Sequence, residues 1–138
     1  MKVFLDTNVI VSAFTARGLC ADLFRHLLAE HELLTGGVNV VELRRVLRDR
    51  FGAAPDQIAS VEAQLCDLTI IAKPRAVSPV RVRDADDGWV LASAEAGAAA
   101  MLVTGDQDLL TVAEDAPLPI LTARAAWERL RGDRGGAA

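Results

Sequence analysis

The opening stretch of the chain constrains the fold more than any other. Val3–Leu5 is apolar at every position, which predicts a strand buried on both faces, as at the centre of a parallel sheet. Asp6 follows at once, and the apolar run Val9–Val11 then predicts a helix. Open α/β sheets hold ligands and catalytic groups where a strand ends and the next helix begins. Asp6 is therefore the first candidate for a functional residue.

Strand-like and helix-like segments alternate through the rest of the chain. Further strands are predicted at residues 33–35, 68–71, 101–103 and 119–122, and helices at 8–14, 19–28, 38–51, 55–65, 89–100 and 123–130. This alternation predicts a three-layer α/β sandwich around a mainly parallel five-stranded sheet. The length suits one domain, expected over residues 1–131, with a flexible tail at 132–138.

Composition narrows the class of protein. A hydrophobic content of 51% with 25% charged residues is typical of a soluble globular protein. The formal net charge of -4 argues against a protein that coats nucleic acid through bulk charge, although a local basic patch remains open. Cys20 and Cys66 form no CxxC pair, so we expect reduced, buried thiols. Without a signal peptide or an apolar run long enough to span a membrane, a cytoplasmic protein is expected.

Carboxylates recur at the starts of predicted helices and just after predicted strands. They are Asp6, Glu42, Asp84, Asp86, Asp87, Asp106 and Asp108. Taken singly, an acid at such a position is explained by helix capping. Asp87, however, lies three and four residues before Val90 and Leu91, so it shares the apolar face of its helix and should point inward. Asp6 and Asp106 should lie at the same edge of the sheet.

Converging carboxylates repel one another and partly protonate unless a cation compensates their charge. Neither Cys pairs nor clustered His residues supply soft ligands, so an all-oxygen site for Mg²⁺ or Mn²⁺ is expected. Such a metal activates water for attack on a phosphodiester. The acids therefore indicate metal-dependent phosphodiester hydrolysis.

Four segments, taken in order, resemble the motifs of PIN-domain ribonucleases. They are FLDTNVIVSAF, VVELRRVL, RDADDGWVLASA and LVTGDQDLL. The nearest branch contains the VapC-like toxins of toxin–antitoxin systems, and the resemblance runs from Met1 to about Leu121. It implies a Rossmann-like PIN fold, cleavage of single-stranded RNA with Mg²⁺ or Mn²⁺, and two protein partners, a cognate antitoxin and a second copy of the chain.

Carried over position by position, the resemblance implies that the catalytic, metal-binding acids are Asp6, Glu42, Asp87 and Asp106, with Asp86 and Asp108 as further ligands. Asp108 replaces Asp106 as the fourth acid if the loop is set differently. Polar side chains that support the acids are then Thr7, Asn8 and Thr104.

Two departures from the family pattern stand out. A third acid often ends the third motif, where this chain has Gly88. The helix that carries Glu42 usually starts with Ser-Pro, whereas Gly36–Gly37 precedes it here and is expected to form a turn that loosens the placing of Glu42.

Basic and aromatic residues give weaker indications. Any one of the arginines is best explained as part of a solvated helix face or loop, but together they are candidates for holding RNA phosphates: Arg44, Arg45, Arg48, Arg81 and Arg83. Trp89 is expected to pack against the sheet rather than to stack on a base.

Two other functions remain open. A PIN-fold scaffold that binds proteins, with weak or no nuclease activity, would keep the same acids. A phosphatase of haloacid-dehalogenase type also begins with an Asp after its first strand, but it needs a second Asp two positions later, where this chain has Asn8.

Overall fold

The computed structural model describes the backbone of residues 1–137 and the side chains of residues 1–132. Its strands are β1 (Lys2–Leu5), β2 (Glu32–Gly36), β3 (Thr69–Ile71), β4 (Met101–Val103) and β5 (Ile120–Leu121). Its helices are α1 (Thr7–Thr15), α2 (Leu19–Glu30), α3 (Gly37–Asp49), α4 (Pro55–Gln64), α5 (Ala85–Ala96), α6 (Gln107–Thr111) and α7 (Ala123–Ala137), with a 3₁₀ turn at Leu65–Asp67.

The five strands form one sheet in the order β3-β2-β1-β4-β5, and every neighbouring pair is parallel. The first strand is central: Val3 pairs with Leu33 on one side and with Met101 on the other. Helices cover both faces of the sheet. The predicted three-layer α/β fold is confirmed.

The core is divided by β1. Val3, Phe4 and Leu5 are all 0% exposed, as expected of a strand buried on both faces. Because side chains alternate along a strand, Val3 and Leu5 pack into the cluster formed with α1, α2, α3 and α7, whereas Phe4 packs with α5 and α6.

Several elements differ from the sequence prediction. Helix α5 begins at Ala85 instead of residue 89, because Asp84 caps its first turn by accepting a hydrogen bond from the Asp86 N–H (3.0 Å). Helix α6 was not predicted, since five residues are too few to show a helical period. The predicted Gly36–Gly37 turn is absent, because β2 ends at Gly36 and α3 begins at the next residue.

The C-terminal helix α7 continues past residue 130, its predicted end, to Ala137. The flexible tail expected at 132–138 stays a prediction, because the side chains of residues 133–138 lie outside the described part of the chain.

The prediction that both thiols are buried is wrong for Cys66. Leu65, in the 3₁₀ turn, and Leu68, directly after it, are buried, whereas Cys66 between them is exposed; Cys20 is partly buried. Among the described helices, none has the length and apolar content that a bilayer crossing requires.

Candidate metal centre

Most of the candidate residues lie at one edge of the sheet. Asp6 follows β1 and Thr104 follows β4, and because these neighbouring strands are parallel their carboxyl ends coincide. The strand order reverses between β1 and β4, which is where open α/β sheets form their binding crevice.

Asp6 is held at this edge by four donors. It is 4% exposed. Its Oδ1 accepts from the Thr7 N–H (2.8 Å) and from Asn39 Nδ2 (3.0 Å), and its Oδ2 accepts from Thr104 Oγ1 (2.7 Å) and Asn8 Nδ2 (3.4 Å). Burial raises the pKa of Asp6, and the donors from Thr104 and Thr7 oppose that shift only in part. The three predicted supporting residues do surround Asp6.

Asn39 is a site residue that the sequence reasoning missed. Its side chain is fully buried and its Nδ2 also donates to Thr7 Oγ1 (3.0 Å), while its Oδ1 accepts from the Gly36 N–H (3.2 Å). Thr7 Oγ1 in turn lies 3.2 Å from Glu42 Oε2. The available signal was spacing, because Asn39 stands three residues before Glu42 and so lies on the same side of α3.

Gly36 makes this arrangement fit. A Cβ at Gly36 would lie 2.8 Å from Asn39 Oδ1 and 3.1 Å from Ser93 Oγ. The absence of a side chain at Gly36 therefore allows Asn39 and Ser93 to pack closely against the junction of β2 and α3. The sequence analysis instead expects the two glycines to loosen this junction.

Asp87 points inward from the first turn of α5, as predicted, and is 7% exposed. Its Oδ2 has no hydrogen-bond donor among the described residues. Removal from water, together with the negative charges of Asp106, Asp6 and Asp84, raises the pKa of Asp87 to about 8. The carboxyl therefore keeps its proton near neutral pH unless a positive charge enters the cleft.

Three aspartates come together closely enough to share one ion. Asp84, Asp87 and Asp108 each offer a carboxylate oxygen, and these three atoms all lie within 4.8 Å of one another. The donor set is entirely oxygen, which suits Mg²⁺ or Mn²⁺. Asp84 is not among the ligands that the family resemblance implies.

Of the four acids that the family resemblance indicates, Asp87 belongs to this set, and the other three lie around it. Asp106 caps α6 by accepting from the Asp108 N–H (2.9 Å), and its charge acts on both Asp6 and Asp87. Glu42 lies at the exposed rim, where partial loss of water and the charge of Asp6 raise its pKa. Asp86 is exposed on α5.

The five candidate arginines are dispersed. Arg44 pairs with Glu62, and Arg48 pairs with Asp49 at 2.8 Å. Arg45 lies in a groove between α3 and α5 that Trp89 also lines. The remaining two are exposed in the segment before α5: Arg81 and Arg83, the second of which lies 4.0 Å from Asp108 Oδ1.

The chain resembles known proteins in its family sequence pattern and in its fold. A family model described as "PIN domain" matches residues 2–108. No curated protein sequence matches the chain significantly.

Among solved structures, VapBC-1 from nontypeable Haemophilus influenzae has a TM-score of 0.65 at 18% identity, covering 90% of this chain and 99% of that chain. VapBC2 from Rickettsia felis, bound to a DNA fragment from their promoter, has a TM-score of 0.61 at 17% identity, covering 88% and 97% respectively. PAE2754 from Pyrobaculum aerophilum has a TM-score of 0.63 at 18% identity, covering 96% and 90%. At these identities the likeness is one of fold.

Proposed function

The chain belongs to the PIN-domain family, and we propose that it is a metal-dependent endoribonuclease that cleaves single-stranded RNA. The observation that carries this proposal is Asp87, a buried carboxyl that lies beside two other aspartates and whose Oδ2 has no hydrogen-bond partner in the described part of the chain. A buried carboxylate without a donor is costly, and a divalent cation is the partner that would make it favourable.

The residues present fit such an ion. Asp84, Asp87 and Asp108 would hold it, and the bound metal would supply a water activated for attack and stabilise the departing oxygen of a phosphodiester. Asp87 would give up its proton when the ion binds, since metal ligands must be deprotonated. Asp6, held by its four donors, adds negative charge beside this group.

The rim of the cleft would select and position the RNA. Glu42 reaches the cleft through Thr7 and carries a raised pKa, so it is suited to exchange a proton near the reacting phosphate. Arg83, exposed and 4.0 Å from Asp108, is suited to meet a phosphate oxygen.

We further propose that this nuclease is the toxin of a toxin–antitoxin pair, neutralised by a cognate antitoxin and active as a homodimer. Support comes from the family resemblance and from similarity in fold to the VapBC structures. Expression of the chain alone should arrest growth, and expression of the Asp87→Asn variant should not. Equal growth with the two proteins, at equal levels of each, would reject the toxin role.

The nuclease is tested with single-stranded RNA and Mn²⁺, with and without chelator. Cleavage should require the metal and should fall at least roughly 100-fold in Asp87→Asn and Asp108→Asn, beyond the range for residues that only support a ligand. Asp115→Asn is the matched control, because Asp115 is an exposed acid outside the cleft.

Titration calorimetry with Mg²⁺ and Mn²⁺ separates the nuclease from the protein-binding scaffold. Uptake of one ion by the wild type, lost in Asp87→Asn, supports the nuclease. Binding of neither ion, with a protein partner still bound, would favour the scaffold.

A further inference from the structure

A groove of about 400 Å³ lies between α3 and α5, next to the acidic cleft. Helix α3 contributes Val38, Val41 and Arg45, which share one helical face, and α5 contributes Trp89. Glu42 and Asp86 also line the groove and connect it to the cleft. Lys73, from the segment after β3, completes the lining.

The aromatic side chain in this groove is available to a ligand. Trp89 is only partly buried, and among the described residues it belongs to neither core cluster. Val41, which also lines the groove, is 54% exposed. The ammonium of Lys73 lies 4.3 Å from the centroid of the Trp89 ring, so the ring already attracts a cation in the absence of other partners.

The cations of the groove differ from their neighbours. Arg44 and Arg48 are paired with acids on the outer side of α3, whereas Arg45 and Lys73 make no salt bridge among the described residues. A partly exposed aromatic ring beside two cations that make no salt bridge among the described residues combines the two features by which proteins hold single-stranded nucleic acid.

We propose that this groove binds one nucleotide of a single-stranded RNA, adjacent to the phosphate that is cleaved. The base stacks on Trp89 and replaces the Lys73 ammonium on the ring face, and the nucleotide's phosphate lies between Lys73 and Arg45. A single strand is required because the faces of bases in a duplex are covered by their neighbours. The inference rests on the proposed nuclease function, to which it adds a binding position for the substrate.

Tryptophan fluorescence gives a direct test. The chain has two tryptophans, so Trp127→Phe leaves Trp89 as the only one. In this variant, with chelator present so that no RNA is cut, a short single-stranded RNA should quench the fluorescence on binding. An otherwise identical RNA with one abasic position, moved along the strand, should lose the quenching at one position.

Affinity measurements separate stacking from charge. Trp89→Leu should weaken binding by roughly 5- to 150-fold, the range for loss of one stacked base, while Trp89→Phe restores most of it. Trp127→Leu is the matched control. Arg45→Ala and Lys73→Ala should each lower the slope of log affinity against log salt concentration by about 0.7, the value for one phosphate contact on a single strand. Unchanged melting temperatures exclude loss of folding as the cause.

The outcomes distinguish this inference from the nuclease itself. Unquenched fluorescence, equal binding of duplex and single strand, or unchanged affinity in Trp89→Leu would overturn the groove, and quenching by a peptide but not by RNA would assign the groove to a protein partner. RNA that quenches Trp89 but is not cleaved with Mn²⁺ supports the groove and removes the nuclease. RNA cleavage that is the same in the wild type and in Trp89→Leu supports the nuclease and removes the groove.

Discussion

Replacing Asp87 with asparagine should make the metal-free protein more stable at neutral and alkaline pH. The pKa of Asp87 is about 8 in the folded protein, against 3.8 for the free side chain. Between these values the folded state holds a proton that the unfolded state has released. Stability therefore falls as the pH rises through this interval, and the loss is complete above about pH 8.

The magnitude follows from one proton. Because the folded state binds one more proton than the unfolded state, the free energy of unfolding falls by at most about 1.4 kcal/mol per pH unit. This amounts to roughly 4 kcal/mol from pH 5 to pH 8. The charges of Asp106 and Asp6 contribute to the raised pKa of Asp87, and burial raises the pKa of Asp6 as well, so part of this change remains after Asp87 is replaced. We expect Asp87→Asn to remove about 2 kcal/mol of the decline.

The assay is urea unfolding in chelator at pH 5, 6, 7 and 8, followed by circular dichroism. The wild-type midpoint should fall more steeply with pH than that of Asp87→Asn, with the two proteins most different at pH 8. Asp115→Asn, which changes an exposed acid, should follow the wild type. Parallel profiles for the wild type and Asp87→Asn would show that the Asp87 carboxyl does not cause the fall of stability with pH.

Three further substitutions test the construction of the site. Asn39→Ala should cost about 2–3 kcal/mol of unfolding free energy in urea unfolding, because it strips buried groups of their hydrogen bonds; an unchanged unfolding midpoint would refute this. Gly36→Ala should cost about 1–3 kcal/mol in the same unfolding assay, since its Cβ would lie 2.8 Å from Asn39 Oδ1; a neutral effect would refute the close packing. Gly88→Ala should instead stabilise α5 by about 0.5–1 kcal/mol in thermal unfolding, because its Cβ would meet Val77 at an ordinary 3.5 Å; destabilisation would contradict this.

The fold was predictable because its signals are local. The buried strand at Val3–Leu5 and the alternation of later segments give the parallel sheet and its layers. The inward direction of Asp87 followed from helical spacing with Val90 and Leu91. Such patterns depend on residues only a few positions apart, and the structure agrees with them at these segments.

Which carboxylates lie close enough to share one ion was less predictable, because that depends on distances across the fold. Asp84 and Asp106 occupy equivalent positions as helix caps, and only the tertiary arrangement brings an Asp84 oxygen within 4.8 Å of oxygens from both Asp87 and Asp108. Asn39 was missed for a related reason. An asparagine inside a helix gives no functional signal in the sequence, and only the fold shows that Asn39 donates a hydrogen bond to Asp6.

The hydrogen bond from Thr104 to Asp6 joins residues 98 positions apart and has a consequence for biosynthesis. At the usual rate of translation, about 5–20 s separate the synthesis of Asp6 from that of Thr104. During that interval the emerging chain carries the first carboxylate without the strand that anchors it or the later aspartates. Until Thr104 has been made, a nascent chain is therefore unable to assemble the cleft next to the RNA of the ribosome. The acidic cluster forms only after most of the protein has been synthesised.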